Sequence, residues 1–197
     1  MLNTDYDDIF YIVTLGESRI GKTSLIKRFA HDIFENNHLA TLSCGLFTKV
    51  LDIENKIIEI KLFDICGSEQ FKIISPSYYS RADGVIVAYD ISDKWSFDRV
   101  KFWVNEVKKY SNTETNIVIV GTKCDILDRE VTEEEGKKLA DELGVKYFET
   151  SAKTGYNVNE AYNFLIKDII DNNKDFERKK IELRKGNKID KKKRCSK

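Results

Sequence analysis

Short continuous apolar runs alternate with amphipathic stretches along the first 172 residues. A run of four to eight apolar residues bounded by turn residues is typical of a buried strand, whereas apolar positions three and four apart are typical of a helix. The pattern predicts strands at Phe10–Leu15, Leu46–Ile53, Ile57–Phe63, Gly84–Tyr89, Asn116–Val120 and Lys146–Phe148. It predicts helices at Lys22–Ala30, Trp95–Tyr110, Thr132–Leu143 and Asn157–Asn172, with a capping box from Thr132 to Glu135 and a hairpin loop at Glu54–Lys56.

Strands that alternate with helices predict an α/β fold. We expect a mostly parallel six-stranded sheet with helices on both faces and one antiparallel edge strand from the hairpin. Ligands of such sheets bind at the carboxyl ends of the strands. The loops after Leu15, Phe63, Tyr89, Val120 and Phe148 are therefore the candidate site.

Composition favours one compact domain followed by a tail. The chain has 197 residues, of which 41% are hydrophobic, and we expect a domain over residues 1–173 and a tail over 174–197. No apolar run approaches the roughly 20 residues that cross a bilayer, and the acidic start lacks a signal-peptide pattern, so we expect a cytosolic protein. The four cysteines are scattered without a CxxC pair, which favours reduced thiols over a zinc site or a disulfide framework.

The formal net charge of zero hides an asymmetry. Residues 174–197 hold twelve basic and four acidic side chains, a net charge of +8 that leaves −8 for residues 1–173. An acidic body is not typical of nucleic-acid-binding proteins, so we expect no nucleic-acid partner. A basic tail beside Cys195 favours contact with an anionic membrane, and a merely solvated charged tail is the alternative.

The loop after the first strand matches the phosphate-binding pattern GxxxxGK[ST]. It lies between a predicted strand and a predicted helix, which is the context that this motif requires. Its backbone N–H groups would surround phosphates, Lys22 would reach the terminal ones, and the Thr23 hydroxyl would bind Mg²⁺. The candidate nucleotide contacts here are Gly16, Glu17, Ser18, Arg19, Ile20, Gly21, Lys22, Thr23 and Ser24. A chance Lys-Thr pair after a glycine-containing turn is the alternative.

Three other loops carry weaker signals. Asp125, in Thr122-Lys123-Cys124-Asp125, could accept from the N1–H and the exocyclic amine of guanine, and adenine offers no such pair of donors. After the last strand, the Ala152 N–H in Ser151-Ala152-Lys153 could donate to guanine O6 while Ser151 braces the carboxylate. Asp64 could hold a metal-bound water, and Gly67 lets a backbone N–H approach a γ-phosphate. Taken singly, each loop could equally be an ordinary turn.

The joint order of these motifs is what resembles a known family. The phosphate-binding loop (P-loop, Gly16–Thr23) is followed by DxxG (Asp64–Gly67), TKxD (Thr122–Asp125) and ETSAK (Glu149–Lys153), and this order resembles that of the Ras-like small GTPases. Within them, the chain resembles the Rab branch at Ser75–Ala82, Val87–Asp93 and Trp95–Phe97. The resemblance covers residues 9 to about 172. It implies the P-loop GTPase fold, Mg²⁺-dependent binding of GTP and GDP, and GTP hydrolysis. It also implies a monomer that acts in vesicle traffic on the cytosolic face of endomembranes, with an exchange factor, an activating protein and GTP-state effectors as partners.

The resemblance also assigns roles to single residues. Thr41 falls where the family places a threonine that joins Thr23 and Asp64 at Mg²⁺. Phe34 falls where an aromatic ring packs on guanine, although a core anchor after the first helix is an alternative. The effector triad of Rab proteins corresponds to Leu46, Phe63 and Tyr78, and only Tyr78 keeps the usual residue.

Several positions depart from the family pattern. Ser68 replaces the glutamine that orients the attacking water, and its hydroxyl is too short to reach that water, so we expect slow intrinsic hydrolysis. Arg19 replaces a glycine and could place a cation near the phosphates or simply face solvent. Family tails are flexible and end in a prenylated cysteine, but Cys195 forms neither a CaaX box nor a double-cysteine ending, so its lipidation is a hypothesis.

Two other functions are compatible with parts of the pattern. A protein that holds GTP almost permanently and acts as a scaffold is favoured by Ser68. A P-loop kinase of small metabolites would need an arginine-rich lid, which the sequence does not show, and Asp125 with Ser151–Lys153 indicates guanine.

Overall fold

The computed structural model describes residues 6–36, 45–65, 79–111 and 115–174. The strands are β1 (Asp8–Leu15), β2 (Gly45–Ile53), β3 (Lys56–Asp64), β4 (Gly84–Asp90), β5 (Asn116–Thr122) and β6 (Lys146–Glu149). The helices are α1 (Lys22–His31), α2 (Lys94–Asp98), α3 (Val100–Tyr110), α4 (Glu133–Leu143) and α5, whose described residues are 158–174.

The six strands form one sheet in the order β2-β3-β1-β4-β5-β6. Only β2 runs antiparallel to its neighbour, and the other pairings are parallel. The predicted fold class is therefore confirmed. The parallel register places Thr14 beside Asp64, Asp90 beside Thr122 and Gly121 beside Glu149, so the loops after these strands meet at one edge.

A hydrophobic core lies on each face of the sheet. On one face, α1 and α5 pack against the strands, and the rings of Phe29 and Tyr162 stack with centroids 4.0 Å apart. On the other face, α3 and α4 cover β4 and β5 through Val104, Val107 and Ala140. The two covered faces explain why β4 is buried at every position and reads as a continuous apolar run.

Two predicted elements differ from the structure. The hairpin turn has two residues, Glu54 and Asn55, with φ of 55° and 62°, and Lys56 already belongs to β3. A two-residue turn with both φ values positive matches the right-handed twist of its strands, whereas a type I or type II turn would splay them. The single helix expected at Trp95–Tyr110 is divided at Arg99 into α2 and α3.

Other boundaries move by one or two residues. The capping box is confirmed, because the Thr132 hydroxyl accepts from the Glu135 N–H and the Glu135 carboxylate accepts from the Thr132 N–H. None of the helices within the described ranges is long and apolar enough to cross a bilayer.

Candidate functional site

The loop between β1 and α1 is held in a shape that only glycine allows at two positions. Gly16 has φ of 135°, and a Cβ there would lie 2.3 Å from the Ala88 carbonyl oxygen. Gly21, with φ of 93°, precedes α1, which begins without a side-chain cap. Helix α4, in contrast, is fully capped by Thr132 and Glu135. An uncapped amino terminus that follows a glycine-rich loop is a favourable place for an anion.

Lys22 lies inside this loop and is only 6% exposed. Its ammonium group donates to the carbonyl of Gly16 at 3.0 Å and to that of Glu17 at 2.6 Å. These two bonds hold the charge at the centre of the loop. A phosphate bound by the loop would therefore meet a positive charge that is already positioned.

Two of the three predicted Mg²⁺ ligands are in contact. The Thr23 hydroxyl donates to a carboxylate oxygen of Asp64 at 2.5 Å, and Asp64 is 2% exposed at the end of β3. Hydroxyl and carboxylate oxygens are the donors that Mg²⁺ prefers, so the residues fit this ion. No group of three or more His, Cys, Asp or Glu residues that could hold a metal occurs in the part of the chain that is described, and a site of one carboxylate and two hydroxyls does not need one.

The loops after β5 and β6 meet as the sequence predicts. The Ser151 hydroxyl donates to Asp125 at 2.6 Å, and the Lys153 ammonium lies 3.8 Å from the other oxygen of that carboxylate. A short bond from a buried hydroxyl fixes the direction in which Asp125 points. Asp125 thus has the bracing that recognition of a donor pair requires.

Thr122 and Lys123 contact the P-loop. The Thr122 hydroxyl donates to the carbonyl of Ile20 at 2.6 Å and to that of Tyr89 at 2.9 Å. The Lys123 ammonium donates to the Arg19 carbonyl at 3.0 Å and pairs with Asp90. These bonds tie the phosphate loop to the loop that carries Asp125.

The remaining predicted site residues have different outcomes. Phe34 is half-buried after α1, and Ser18 and Arg19 are exposed. Leu46 is 57% exposed and lies directly across from Phe63 in the β2–β3 pairing, so these two share a surface. The structure brings together the residues of the P-loop with Asp64, Asp125 and Ser151. Thr41, Gly67, Ser68, Tyr78 and Cys195 lie outside the described residues.

Glu17 is a residue whose partners the sequence did not reveal. Its carboxylate is 3% exposed and accepts from the Trp103 indole at 3.1 Å and from the Arg99 guanidinium at 3.3 Å. It therefore binds the P-loop to α3. The sequence contained only two signals of these contacts: a charged residue in the P-loop, and two possible donors, Arg99 and Trp103, four positions apart in a predicted helix.

A partly buried chain of hydrogen-bonded side chains lies behind the loops that follow β5 and β6. Tyr147 donates to Glu149 at 3.0 Å and is 2.8 Å from the Tyr89 hydroxyl, so Tyr89 is the donor in that pair. Burial raises the pKa of Tyr89 to about 12 and, together with Tyr89 and Glu149, raises the pKa of Tyr147 well above its usual range. Arg129 completes the chain with two bonds to Glu149, at 2.6 and 2.7 Å.

Cys124 lies within the TKxD loop as a free thiol. Burial, followed by the charges of Glu149 and Asp125, raises its pKa to about 11. A thiol with this pKa is protonated at neutral pH and is a poor nucleophile. Cys124 is therefore a packing residue of the loop.

Comparisons with known proteins agree with this geometry. The Ras family model matches residues 11–171. Ras-related protein Rab-13 of Mesocricetus auratus is 40% identical over 166 residues, which are 84% of this chain and 82% of that protein. Ras-related protein RIC1 of Oryza sativa subsp. japonica is 39% identical over 162 residues, 82% of this chain and 80% of that protein. Human Ras-related protein Rab-8B is 36% identical over 166 residues, 84% of this chain and 80% of that protein. A phosphate loop, a braced carboxylate and this extent of similarity lead to one conclusion: the chain belongs to the Rab family of small GTPases.

Proposed function

We propose that this GTPase binds GTP and GDP with Mg²⁺ and acts as a switch in membrane traffic. The observation that carries the proposal is the placement of Asp125, braced by Ser151, at the same sheet edge as the P-loop and the Thr23–Asp64 pair. A carboxylate that selects guanine and a loop that binds phosphates, at one edge of the sheet, can contact the two ends of the same nucleotide.

Each part of the nucleotide has a counterpart among the residues. The phosphates lie in the loop from Gly16 to Gly21, against the Lys22 ammonium and the amino terminus of α1. The guanine edge meets Asp125 and the Ala152 N–H, with Phe34 against the ring. Thr23, Asp64 and Thr41 hold Mg²⁺, which when bound supplies positive charge that offsets the charge of the phosphate oxygens.

Hydrolysis is slow in this proposal because the residue that should orient the attacking water is Ser68. A serine side chain lacks the reach of glutamine, so the largest positioning contribution to water attack is missing. Gly67 contributes a backbone N–H toward the γ-phosphate. An activating protein would then raise the rate, and an exchange factor would replace GDP.

Single-turnover hydrolysis tests this account. The co-purifying nucleotide is identified first, and competition by GTP and ATP for the loaded site is measured. Wild type and Ser68→Gln are then loaded with GTP and Mg²⁺, and we expect the variant to hydrolyse GTP at least tenfold faster. Equal rates would contradict the role of Ser68, and displacement by ATP as effective as by GTP would contradict the guanine site.

A second candidate is a scaffold that keeps GTP bound almost permanently. The presence of Ser68 favours it. If wild type co-purifies with GTP and retains it for hours even with an activating protein, the scaffold is the better description. Measurable turnover in either condition removes it.

The partners follow from the surface and the tail. GTP-state effectors would contact Leu46, Phe63 and Tyr78, and Leu46 and Phe63 lie side by side with Leu46 strongly exposed. The tail with its net charge of +8 would approach anionic lipid, and a prenyl group on Cys195 would supply the second signal that stable anchoring needs. Sedimentation with phosphatidylserine vesicles, before and after removal of residues 174–197, measures the tail's contribution.

A further inference from the structure

Arg28, on α1, forms bonds with residues that are more than 120 positions away in the chain. Its guanidinium donates to the Ala152 carbonyl at 2.7 Å and to the Lys153 carbonyl at 3.2 Å. It also donates to the carbonyl of Asp32 at 3.0 Å and forms an ion pair with the Asp32 carboxylate at 2.7 Å. The Arg28 side chain is 18% exposed, whereas the Asp32 side chain is 88% exposed, so the guanidinium is largely buried but its ion pair with Asp32 faces water.

On one side, the guanidinium fixes the loop that contains Ala152. Other bonds also hold this loop: the Ser151 carbonyl accepts from the Gly155 N–H, the Ser151 N–H donates to the Tyr156 carbonyl, and the Ser151 hydroxyl donates to Asp125. Within the described ranges, the Ala152 N–H donates to no protein acceptor. The Ala152 N–H belongs to the peptide group of the Ser151 carbonyl, which accepts from the Gly155 N–H. Arg28 fixes the next two peptide groups through the carbonyls of Ala152 and Lys153, so it holds the backbone that carries this N–H on its carboxyl-terminal side.

On the other side, the same guanidinium fixes the end of α1. Asp32 is the carboxyl-terminal cap of this helix and has a left-handed backbone, with φ of 56°. Phe34 follows two residues later and is half-buried. Arg28 therefore connects the segment that leads to Phe34 with the loop that carries Ala152.

We propose that Arg28 is a positioning residue for guanine recognition. It holds the Ala152 N–H in the place where it meets guanine O6, and it holds the Phe34 segment at the same end of the nucleotide. This inference rests on the proposed function, since it assumes a guanine base against Ala152. Lysine cannot replace Arg28, because one ammonium group cannot span two loop carbonyls and the helix cap at once.

Three nucleotides separate the contact at O6 from the contact at the exocyclic amine. GDP offers both groups, inosine diphosphate lacks the amine that Asp125 binds, and 6-thioguanosine diphosphate keeps the N1–H and the amine but has sulfur, a weaker acceptor, in place of O6. Their dissociation constants are measured by competition for wild type, Arg28→Lys and Arg28→Gln in the full-length chain with Mg²⁺. Lys27→Gln is the matched control, because Lys27 is the next residue on α1 and pairs with Glu35 instead of the loop.

We expect the preference for GDP over 6-thioguanosine diphosphate to fall about fivefold in both Arg28 variants, as loss of one oriented hydrogen bond to O6 predicts. The preference for GDP over inosine diphosphate should change less than threefold, and Lys27→Gln should keep both preferences. Circular dichroism confirms that each variant is folded, and Arg28→Lys keeps the charge if Arg28→Gln does not fold.

Two results would overturn the inference. Unchanged preferences in both Arg28 variants would show that the loop is oriented without Arg28, and an equal fall in both preferences would show a general structural role. If wild type itself prefers GDP over neither analogue, the proposed guanine site fails and this inference fails with it. If wild type prefers GDP over the analogues and the Arg28 variants show the same preference, only the positioning role of Arg28 is contradicted, and the proposed guanine site stands.

Discussion

At the residue scale, Arg19 occupies a backbone conformation that suits glycine. Its φ is 66°, and its side chain is exposed at the tip of the P-loop. A left-handed backbone costs an L-residue with a Cβ about 1–2 kcal/mol, which glycine avoids. The Lys123 ammonium, which donates to the Arg19 carbonyl, helps to hold this conformation.

Arg19→Gly and Arg19→Ala separate strain from charge. We expect Arg19→Gly to raise the free energy of unfolding by about 0.5–1 kcal/mol, because relief of strain exceeds the extra entropy of the unfolded chain. Arg19→Ala should give no such gain. Urea unfolding with saturating GDP and Mg²⁺ measures both, and Ser18→Gly, at an exposed neighbour without a positive φ, is the control.

The same variants test whether Arg19 acts on the phosphates. Both remove the guanidinium, so a catalytic or binding role requires equal losses in GTP hydrolysis or equal increases in the nucleotide dissociation rate. If neither rate moves, Arg19 only faces solvent.

At the scale of elements, two helices begin in opposite ways. The first turn of α4 is closed by the Thr132–Glu135 capping box, and Lys94 pairs with Glu135 at 2.9 Å. Helix α1 begins after Gly21 with no side-chain cap. A capped terminus stabilises the helix, whereas an uncapped one at the P-loop leaves the helix dipole available to a ligand.

The capping box makes the stability of α4 depend on pH. The bond from the Thr132 N–H, followed by the bond from Lys94, lowers the pKa of Glu135 to about 2. A carboxylate with a depressed pKa stabilises the fold above its unfolded pKa of about 4.5 and loses this effect as pH falls toward 2. Wild type should therefore be more stable than Glu135→Gln at pH 5–6, and the difference should disappear near pH 2.

Thermal unfolding from pH 2 to 6 measures this difference. Glu134→Gln removes a charge from the same turn without touching the capping box, so it should not show the same pH dependence. A constant difference between wild type and Glu135→Gln across the range would contradict the role of the charged carboxylate.

At the scale of the whole molecule, long-range polar contacts join the loops of the site. Glu149 is 9% exposed and is held by Arg129 from the loop before α4, while Tyr147 and Tyr89 extend the chain to β4. Glu17 joins the P-loop to α3 in the same way. The loops at this sheet edge are thus positioned by the sheet and by one another.

Removing Arg129 should leave Glu149 without its strongest partner. We expect Arg129→Met to cost about 1–3 kcal/mol, less than a fully buried pair because the Arg129 side chain is 29% exposed. Arg129→Met with Glu149→Gln should recover most of this loss, since no buried charge remains. Urea unfolding of wild type, both single variants and the double variant gives a double-mutant cycle. If the losses in the free energy of unfolding are additive, Arg129 and Glu149 are not coupled.

The local pattern of the chain was sufficient for much of this account. The strand runs, the capping box, the P-loop and the braced Asp125 depend on residues close in sequence or on strand ends that a parallel sheet must bring together. Two predictions were wrong where the local backbone departs from the pattern. Lys56 pairs in β3 because the turn adopts positive φ at Glu54 and Asn55, and Arg99 interrupts an otherwise helical period.

Other features exist only in the folded molecule. Glu17 and Trp103 are 86 positions apart, and Arg28 and Ala152 are 124 apart. No short-range pattern encodes such pairs, because a charged residue on a helix or in a loop has the same local preferences whether it faces solvent or a distant carbonyl. The sequence by itself determined the order of the motifs at the strand ends and the protein family that this order indicates. Packing of the helices on the sheet decided which side chains hold the site in place, because only packing brings their partners within bonding distance.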